Sequence, residues 1–184
     1  MLTEFQKKKF TNHFNLRDTN KNGLVELSDY EQYAQNVAQL VGWSTDSQEF
    51  KRMQAINLGV WQFFWKPADG DNDDKVTLDE HLAFMGMMIQ RSTDPEVVAA
   101  SNDHSAALFT AFDFDQDGKI SASDYKSFLK AANVDANWAD DVFAKLDSDS
   151  SGYISEDEFA AHHRDFFSSD DPNTPGNWFY GPIS

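Results

Sequence analysis

The sequence contains no cysteine and comparatively little basic charge. Without cysteine there can be no disulfide framework, no thiolate zinc site and no cysteine nucleophile. Lysine and arginine number 15 against 31 aspartates and glutamates, so the 184-residue chain carries a net charge of −16. Like charges repel, so general binding to nucleic acid or to an anionic membrane is excluded.

Long hydrophobic runs are also missing. No run approaches the roughly 18 apolar residues that a membrane span needs. Residues 1–10 are lysine-rich and lack the apolar stretch of a signal peptide. These features predict a cytoplasmic protein without a membrane span.

Aromatic residues, in contrast, are abundant, at 14% of the chain with 16 phenylalanines and 5 tryptophans. A disordered acidic chain would lack them, so the chain is expected to fold. Its length permits one large domain or two small ones.

The acidic residues collect in four segments of twelve residues, at 18–29, 69–80, 113–124 and 147–158. In all four, positions 1, 3, 5, 9 and 12 carry a side-chain oxygen, and position 8 is valine or isoleucine. Carboxylates this close repel by roughly 1 kcal/mol or more per pair, and a bound cation would offset that repulsion. This is the EF-hand calcium pattern, repeated four times.

The spacing has a physical reason, because alternate residues of a tightly wound loop point toward one centre. Position 7 contributes its backbone carbonyl, and position 12 completes the ligand sphere from the next helix. The predicted metal ligands are Asp18, Asn20, Asn22, Leu24, Glu26 and Asp29; Asp69, Asp71, Asp73, Lys75 and Glu80; Asp113, Asp115, Asp117, Lys119 and Asp124; and Asp147, Asp149, Ser151, Tyr153 and Glu158. Up to four Ca²⁺ ions are therefore expected.

The four loops are not equivalent. The first and third close with Asp29 and Asp124, which are one methylene shorter than glutamate, so we expect these loops to favour six-coordination and to admit Mg²⁺. The second loop has Asp74 at position 6, where glycine is usual, and aspartate enters the left-handed region more readily than most residues. An alternative is that the first or the second loop binds no metal.

Apolar residues recur at three and four residues on both sides of each loop, as amphipathic helices require. The predicted fold is all-α, with four EF-hands in two pairs packed into one globule. The predicted divisions are an N-terminal pair at 1–91, a C-terminal pair at 92–167 and a tail at 168–184. Ser44 or Thr45 is predicted to cap the helix that enters the second loop. The proline-containing tail holds Trp178, Phe179 and Tyr180, so it is expected to fold back on the core.

These features together resemble the sarcoplasmic calcium-binding protein family, which includes calexcitin and the calerythrin-like proteins. The resemblance covers nearly the whole chain, and rests on the four loops, the 51-residue first interval, Asp29, Asp74 and the ending at residues 171–182. It implies a compact protein that binds Ca²⁺, with some loops also taking Mg²⁺. The same fold serves coelenterazine photoproteins and luciferin-binding proteins, in which a histidine and an aromatic residue stand where His163 and Phe167 lie.

Three functions stay open at the level of sequence. The leading one is a cytoplasmic calcium buffer, monomeric and needing no protein partner. The alternatives are a calcium sensor that exposes an apolar groove to a partner protein, and a coelenterazine-type ligand-binding or photoprotein-like protein. No constellation of catalytic residues stands outside the metal loops, so a non-enzymatic protein is expected.

Overall fold

The computed structural model describes residues 1–133 and 135–183. Val134 and Ser184 lie outside the described residues, and the predicted tail includes Ser184. Helices dominate the described part, and the α-helices are α1 Glu4–Arg17, α2 Leu27–Val41, α3 Gln48–Val60, α4 Leu78–Gln90, α5 Pro95–Phe112, α6 Ala122–Ala131, α7 Ala139–Leu146 and α8 Glu156–Ser168. Two short strands, β1 Val25–Glu26 and β2 Lys75–Val76, lie within the first two loops.

The helices that leave the loops begin at capping boxes. In the second loop, Glu80 N–H donates to Thr77 Oγ1 at 3.3 Å, and Thr77 N–H donates to Glu80 Oε2 at 2.9 Å. The third and fourth loops repeat this exchange at the same positions. The residues predicted to close each metal sphere thus also satisfy the free N–H groups at a helix start.

The helix that enters the second loop begins later than predicted. Its N-cap is Ser47, whose Oγ accepts from Phe50 N–H at 3.1 Å, and not Ser44 or Thr45. Ser44 instead accepts Ser47 N–H with its carbonyl, which closes a turn before the helix. Beyond α3 the chain continues through a π-helical turn at Trp61–Trp65 and a 3-10 turn at Lys66–Ala68.

The loops meet in pairs through their position-8 residues. Val25 lies opposite Val76 in the antiparallel pair β1–β2. Ile120 and Ile154 exchange both backbone hydrogen bonds, at 3.0 and 2.9 Å. All four side chains are buried, so each pair of loops shares a small apolar centre.

The C-terminal tail packs against the core, as the sequence predicts. Phe179 and Tyr180 are buried, and a 3-10 turn at Pro175–Trp178 lies on α8. Gly176 approaches α8 so closely that a Cβ there would lie 2.7 Å from the His162 carbonyl oxygen. Only glycine permits this contact.

The all-α fold with paired EF-hands and a packed aromatic tail is confirmed, whereas the division at residues 91 and 167 stays a prediction. Among the helices of the described residues, none combines the length and apolarity needed to cross a membrane.

Candidate metal centre

Each loop is organised around its first aspartate, which follows the last helical turn before the loop. One oxygen of this carboxylate accepts the position-5 N–H and the other accepts the position-6 N–H. The position-6 bonds are Gly23 to Asp18 at 2.9 Å, Asp74 to Asp69 at 3.0 Å, Gly118 to Asp113 at 3.0 Å and Gly152 to Asp147 at 2.9 Å. These aspartates are buried and held in one orientation, which prepares them to ligate an ion.

Acidic oxygens converge in three of the loops. Within each of the following sets, one carboxylate oxygen per residue lies within 4.8 Å of the others: Asp69, Asp71 and Asp73; Asp113, Asp115 and Asp117; and Asp147, Asp149 and Glu158. Three ionised carboxylates at this separation repel strongly unless a cation lies between them. Hard oxygen donors in this number suit Ca²⁺ or Mg²⁺.

The closing residues differ in how far they reach across the loop. Glu80 Oε1 accepts Gly70 N–H at 2.9 Å, and Glu158 Oε1 accepts Ser148 N–H at 2.8 Å, so both glutamates span from position 12 to position 2. Asp124 accepts from the N–H and hydroxyl of Ser121, three residues before it. Hydrogen bonds from the N–H and hydroxyl of Thr77 lower the pKa of Glu80, which keeps that carboxyl ionised and ready for a cation.

The first loop has a weaker ligand set. Two of its positions are the amides Asn20 and Asn22, and Asn22 Nδ2 donates to Glu26 Oε2 at 3.1 Å. The other oxygen of Glu26 lies 3.7 Å from Nζ of Lys75 in the paired loop. Burial raises the pKa of Asp29, whereas hydrogen bonds lower the pKa of Glu80 at the same position of the second loop.

Position 7 is occupied by Leu24, Lys75, Lys119 and Tyr153, whose backbone carbonyls are the predicted ligands. The Lys119 ammonium lies 4.2 Å from the centre of the Tyr153 ring, so these two side chains pack against each other. The predicted ligands at these positions are the backbone carbonyls and not the side chains. Tyr153 O also accepts from the Ser151 hydroxyl at 3.0 Å. The structure therefore brings together three acidic positions in each of the second, third and fourth loops, and the roles of all the predicted residues as ligands stay predictions.

A cluster of histidines is the main feature that the sequence analysis missed. His104 Nδ1 lies 3.2 Å from His163 Nε2, and the rings of His13 and His81 are 5.3 Å apart. Tyr180 of the tail lies against His13, with ring centroids 4.6 Å apart. Burial lowers the pKa of all four histidines, to about 3 for His81 and His163, so they are uncharged at neutral pH.

A signal for this cluster was present in the helix periodicity. His13 stands three residues after Phe10, on the same face of α1. The neighbouring His162 is separate from the cluster, because its Nε2 lies 2.9 Å from the Leu146 carbonyl oxygen.

A cavity of about 540 Å³ opens beside the histidines. Helices α3, α4, α5 and α8 and the π-helical turn at Trp61–Trp65 form its walls, which are mainly apolar and include Phe64, Phe84 and Phe167. His104 and His163 are the imidazoles on its lining, and Phe64 stacks on His104 with ring centroids 4.4 Å apart. Its size and lining are typical of a small-molecule site.

Comparison with known proteins agrees with this geometry. Residues 102–163 match the model of the EF-hand domain pair. The chain is 22% identical to calerythrin of Saccharopolyspora erythraea over 90% of its own length and 94% of calerythrin. It is 28% identical to sarcoplasmic calcium-binding proteins I, III and IV of Branchiostoma lanceolatum, over 70% of the chain and 71% of the relative.

A solved structure extends the comparison to the whole fold. The coelenterazine-binding protein from Renilla muelleri, in its calcium-loaded apo form, superposes with a TM-score of 0.78 at 21% identity, covering 99% of this chain and 100% of that protein. The family model covers the third and fourth loops, and the likeness in fold extends over the whole chain. The chain is a calcium-binding EF-hand protein, and its resemblance to the sarcoplasmic calcium-binding proteins and calerythrin is confirmed.

Proposed function

We propose that the protein is a cytoplasmic, monomeric buffer of Ca²⁺ and Mg²⁺, with no catalytic role. One observation carries this proposal: the tail already covers the apolar surface that a calcium sensor would present to a partner. Phe179 packs on Phe159 of α8 with ring centroids 4.7 Å apart, and Tyr180 packs on Phe166 at 4.8 Å. A sensor needs such surface to become accessible when calcium binds.

Charge gives a second argument for buffering. Four bound Ca²⁺ ions would halve the net charge of −16. The acidic loops repel one another less once they are filled, so binding is expected to stabilise the folded chain. Five methionines also argue against a flexible, methionine-rich partner groove.

The first experiment counts bound ions. Native mass spectrometry of the chelator-stripped protein across a Ca²⁺ titration should show up to four ions, and Mg²⁺ should compete for the first and third loops. A chain that retains no ion at millimolar Ca²⁺ would refute the proposal.

The second experiment separates a buffer from a sensor. We expect the fluorescence of a hydrophobic dye to stay constant or fall on calcium addition, because the tail keeps the apolar surface covered. A rise in dye binding would favour the sensor. Ala107→Phe, which projects a ring into the cavity, is the variant that removes the cavity's own contribution to dye binding.

Binding of a small apolar ligand is a second candidate function, and the cavity is the observation that favours it. Its volume of about 540 Å³ is sufficient for a small organic molecule. The structural relative from Renilla muelleri binds coelenterazine, as its name states.

Coelenterazine itself is the probe for this candidate. Titration should quench tryptophan fluorescence with a saturable, one-to-one stoichiometry. Ala107→Phe should abolish the effect, whereas Ala106→Phe, on the exposed side of the same helix, should preserve it. Equal responses from the two variants would contradict a site in this cavity.

A further inference from the structure

A lysine that precedes the second loop pairs with two of the loop's carboxylates. Nζ of Lys66 lies 2.6 Å from Asp69 Oδ2 and 2.5 Å from Asp74 Oδ1. Asp69 is the first predicted ligand of the loop, and Asp74 is the residue that replaces the usual glycine at position 6. The lysine therefore bridges the two aspartates that bracket the entry half of the loop.

This arrangement is specific to the second loop. Lys66 stands three residues before the first ligand, and the residues at the same position of the other loops are Asn15, Thr110 and Ala144, which are uncharged. Nζ of Lys75 lies 3.7 Å from Glu26 Oε1, at position 9 of the first loop, and Nζ of Lys21 donates to the Asn15 carbonyl oxygen. Neither ammonium forms an ion pair or a hydrogen bond with position 1 or position 6 of the first loop.

The contact involves the residue that departs from glycine at position 6. Asp74 has a φ of 65°, in the left-handed region that glycine occupies without strain. The strain of placing aspartate there is accompanied by an ion pair with Lys66 that glycine could not form.

The ammonium leaves the ligating side of the carboxylate open. Asp69 Oδ2 accepts both Lys66 and Asp74 N–H, whereas Oδ1 accepts Asp73 N–H on the side where Asp71 lies. An ion bound through Oδ1 would therefore have the ammonium as a close neighbour and not as a competitor for the same oxygen.

We propose that Lys66 is an internal counter-ion of the second loop, held in place by Asp74, which lowers the affinity of this loop for divalent cations. This inference rests on calcium binding under the proposed function. A unit charge ~6 Å from a divalent ion, even at the dielectric constant of water, weakens binding roughly tenfold. The same charge offsets repulsion among the loop carboxylates before an ion binds, so a loop rich in aspartate becomes a low-affinity site.

The test requires a separate signal from each loop, and the position-6 amides provide it. Each donates to the first aspartate, so its NMR chemical shift reports on its own loop: Gly23, Asp74, Gly118 and Gly152. The measured quantity is the calcium midpoint, the Ca²⁺ concentration at which half of an amide's change in chemical shift has occurred. In Lys66→Met, which keeps an apolar stem and removes the charge, the midpoint of the Asp74 amide should fall roughly tenfold. The three glycine midpoints should stay within about twofold.

Two further variants keep the result interpretable. Lys66→Arg retains the charge and should leave the Asp74 midpoint close to that of the unaltered protein. Lys51→Met removes an exposed lysine from α3 and measures the effect of net charge alone. It should therefore shift the calcium midpoints of all four amides slightly and equally.

The outcomes separate this inference from the proposed function. If the unaltered protein shows no calcium response at any of the four amides, the proposed function fails together with the inference. If calcium binds but Lys66→Met moves the Asp74 midpoint no more than Lys51→Met does, only the counter-ion role is refuted.

Discussion

The buried tail leads to a quantitative prediction about Phe179. Its side chain is 2% exposed, and its ring contacts Phe159, Tyr180 and His163, with centroids 4.7, 4.9 and 5.7 Å away. Replacement by alanine would remove these contacts and leave a cavity that the surrounding aromatic rings cannot fill.

The expected loss is large relative to the stability of a typical domain. Truncation of a core phenylalanine to alanine costs about 3–5 kcal/mol, a range that covers both the apolar transfer and the cavity. The edge-to-face aromatic pairs place Phe179→Ala within this range rather than below it. With a slope of about 2 kcal/mol per molar urea, the midpoint of unfolding should fall by roughly 1.5–2.5 M.

Urea unfolding followed by circular dichroism, in saturating Ca²⁺ and again with chelator, measures this loss. Phe63→Ala is the matched control, because Phe63 is 86% exposed and its truncation should change stability by no more than about 0.5 kcal/mol. Equal midpoints for the two alanine variants would show that the tail does not contribute to the core, and the argument against a sensor would fall with it.

Four other predictions follow from the loops, the histidines and the tail. Glu158→Gln should remove one bound ion in native mass spectrometry, and an unchanged stoichiometry would show that the fourth loop was never filled. Asp124→Glu should favour Ca²⁺ over Mg²⁺ in competition calorimetry, because the longer side chain can supply a second oxygen; equal competition before and after would refute the six-coordination argument. Burial lowers the pKa of His163 to about 3 in the folded protein, below its value in the unfolded chain. The contribution of this neutral histidine to the free energy of unfolding is therefore fully present above about pH 6.5 and is lost as the pH falls toward 3. We expect this contribution to fall by about 2 kcal/mol between pH 7 and pH 5. His163→Gln should reduce that loss of stability in urea titrations at the two pH values. An identical loss in the variant would show that His163 is not its source. Gly181 has a φ of +97°, and a Cβ there would lie 2.3 Å from Trp138, so Gly181→Ala should lower the urea midpoint by the equivalent of about 1–3 kcal/mol, whereas an unchanged midpoint would contradict the packing of the tail end.

The metal loops were predictable from the sequence because they are local. Twelve consecutive residues fix which oxygens converge, and the backbone of one loop suffices to orient Asp147 or Glu158. The sequence also showed valine or isoleucine at position 8 of every loop, and the structure pairs Ile120 with Ile154 there. The aromatic residues of the tail also predicted its burial, because removing the large apolar surfaces of Phe179 and Tyr180 from water is favourable.

Long-range packing decided the rest. His13, His81, His104 and His163 lie on different helices, and only the packing of those helices brings their rings together. The cavity likewise arises where four helices meet without filling the space between them, a property that no single helix pattern contains.

The contact between Lys66 and Asp74 shows both kinds of information. The sequence indicated an unusual aspartate at position 6 of the second loop, and the physical chemistry of the left-handed region accounted for its tolerance. Only the path of the chain through Trp61–Trp65 and Lys66–Ala68 placed the lysine against it. Local spacing therefore determined where ions are predicted to bind, and the three-dimensional approach of distant or irregular segments decided which charges and which cavity lie beside those loops.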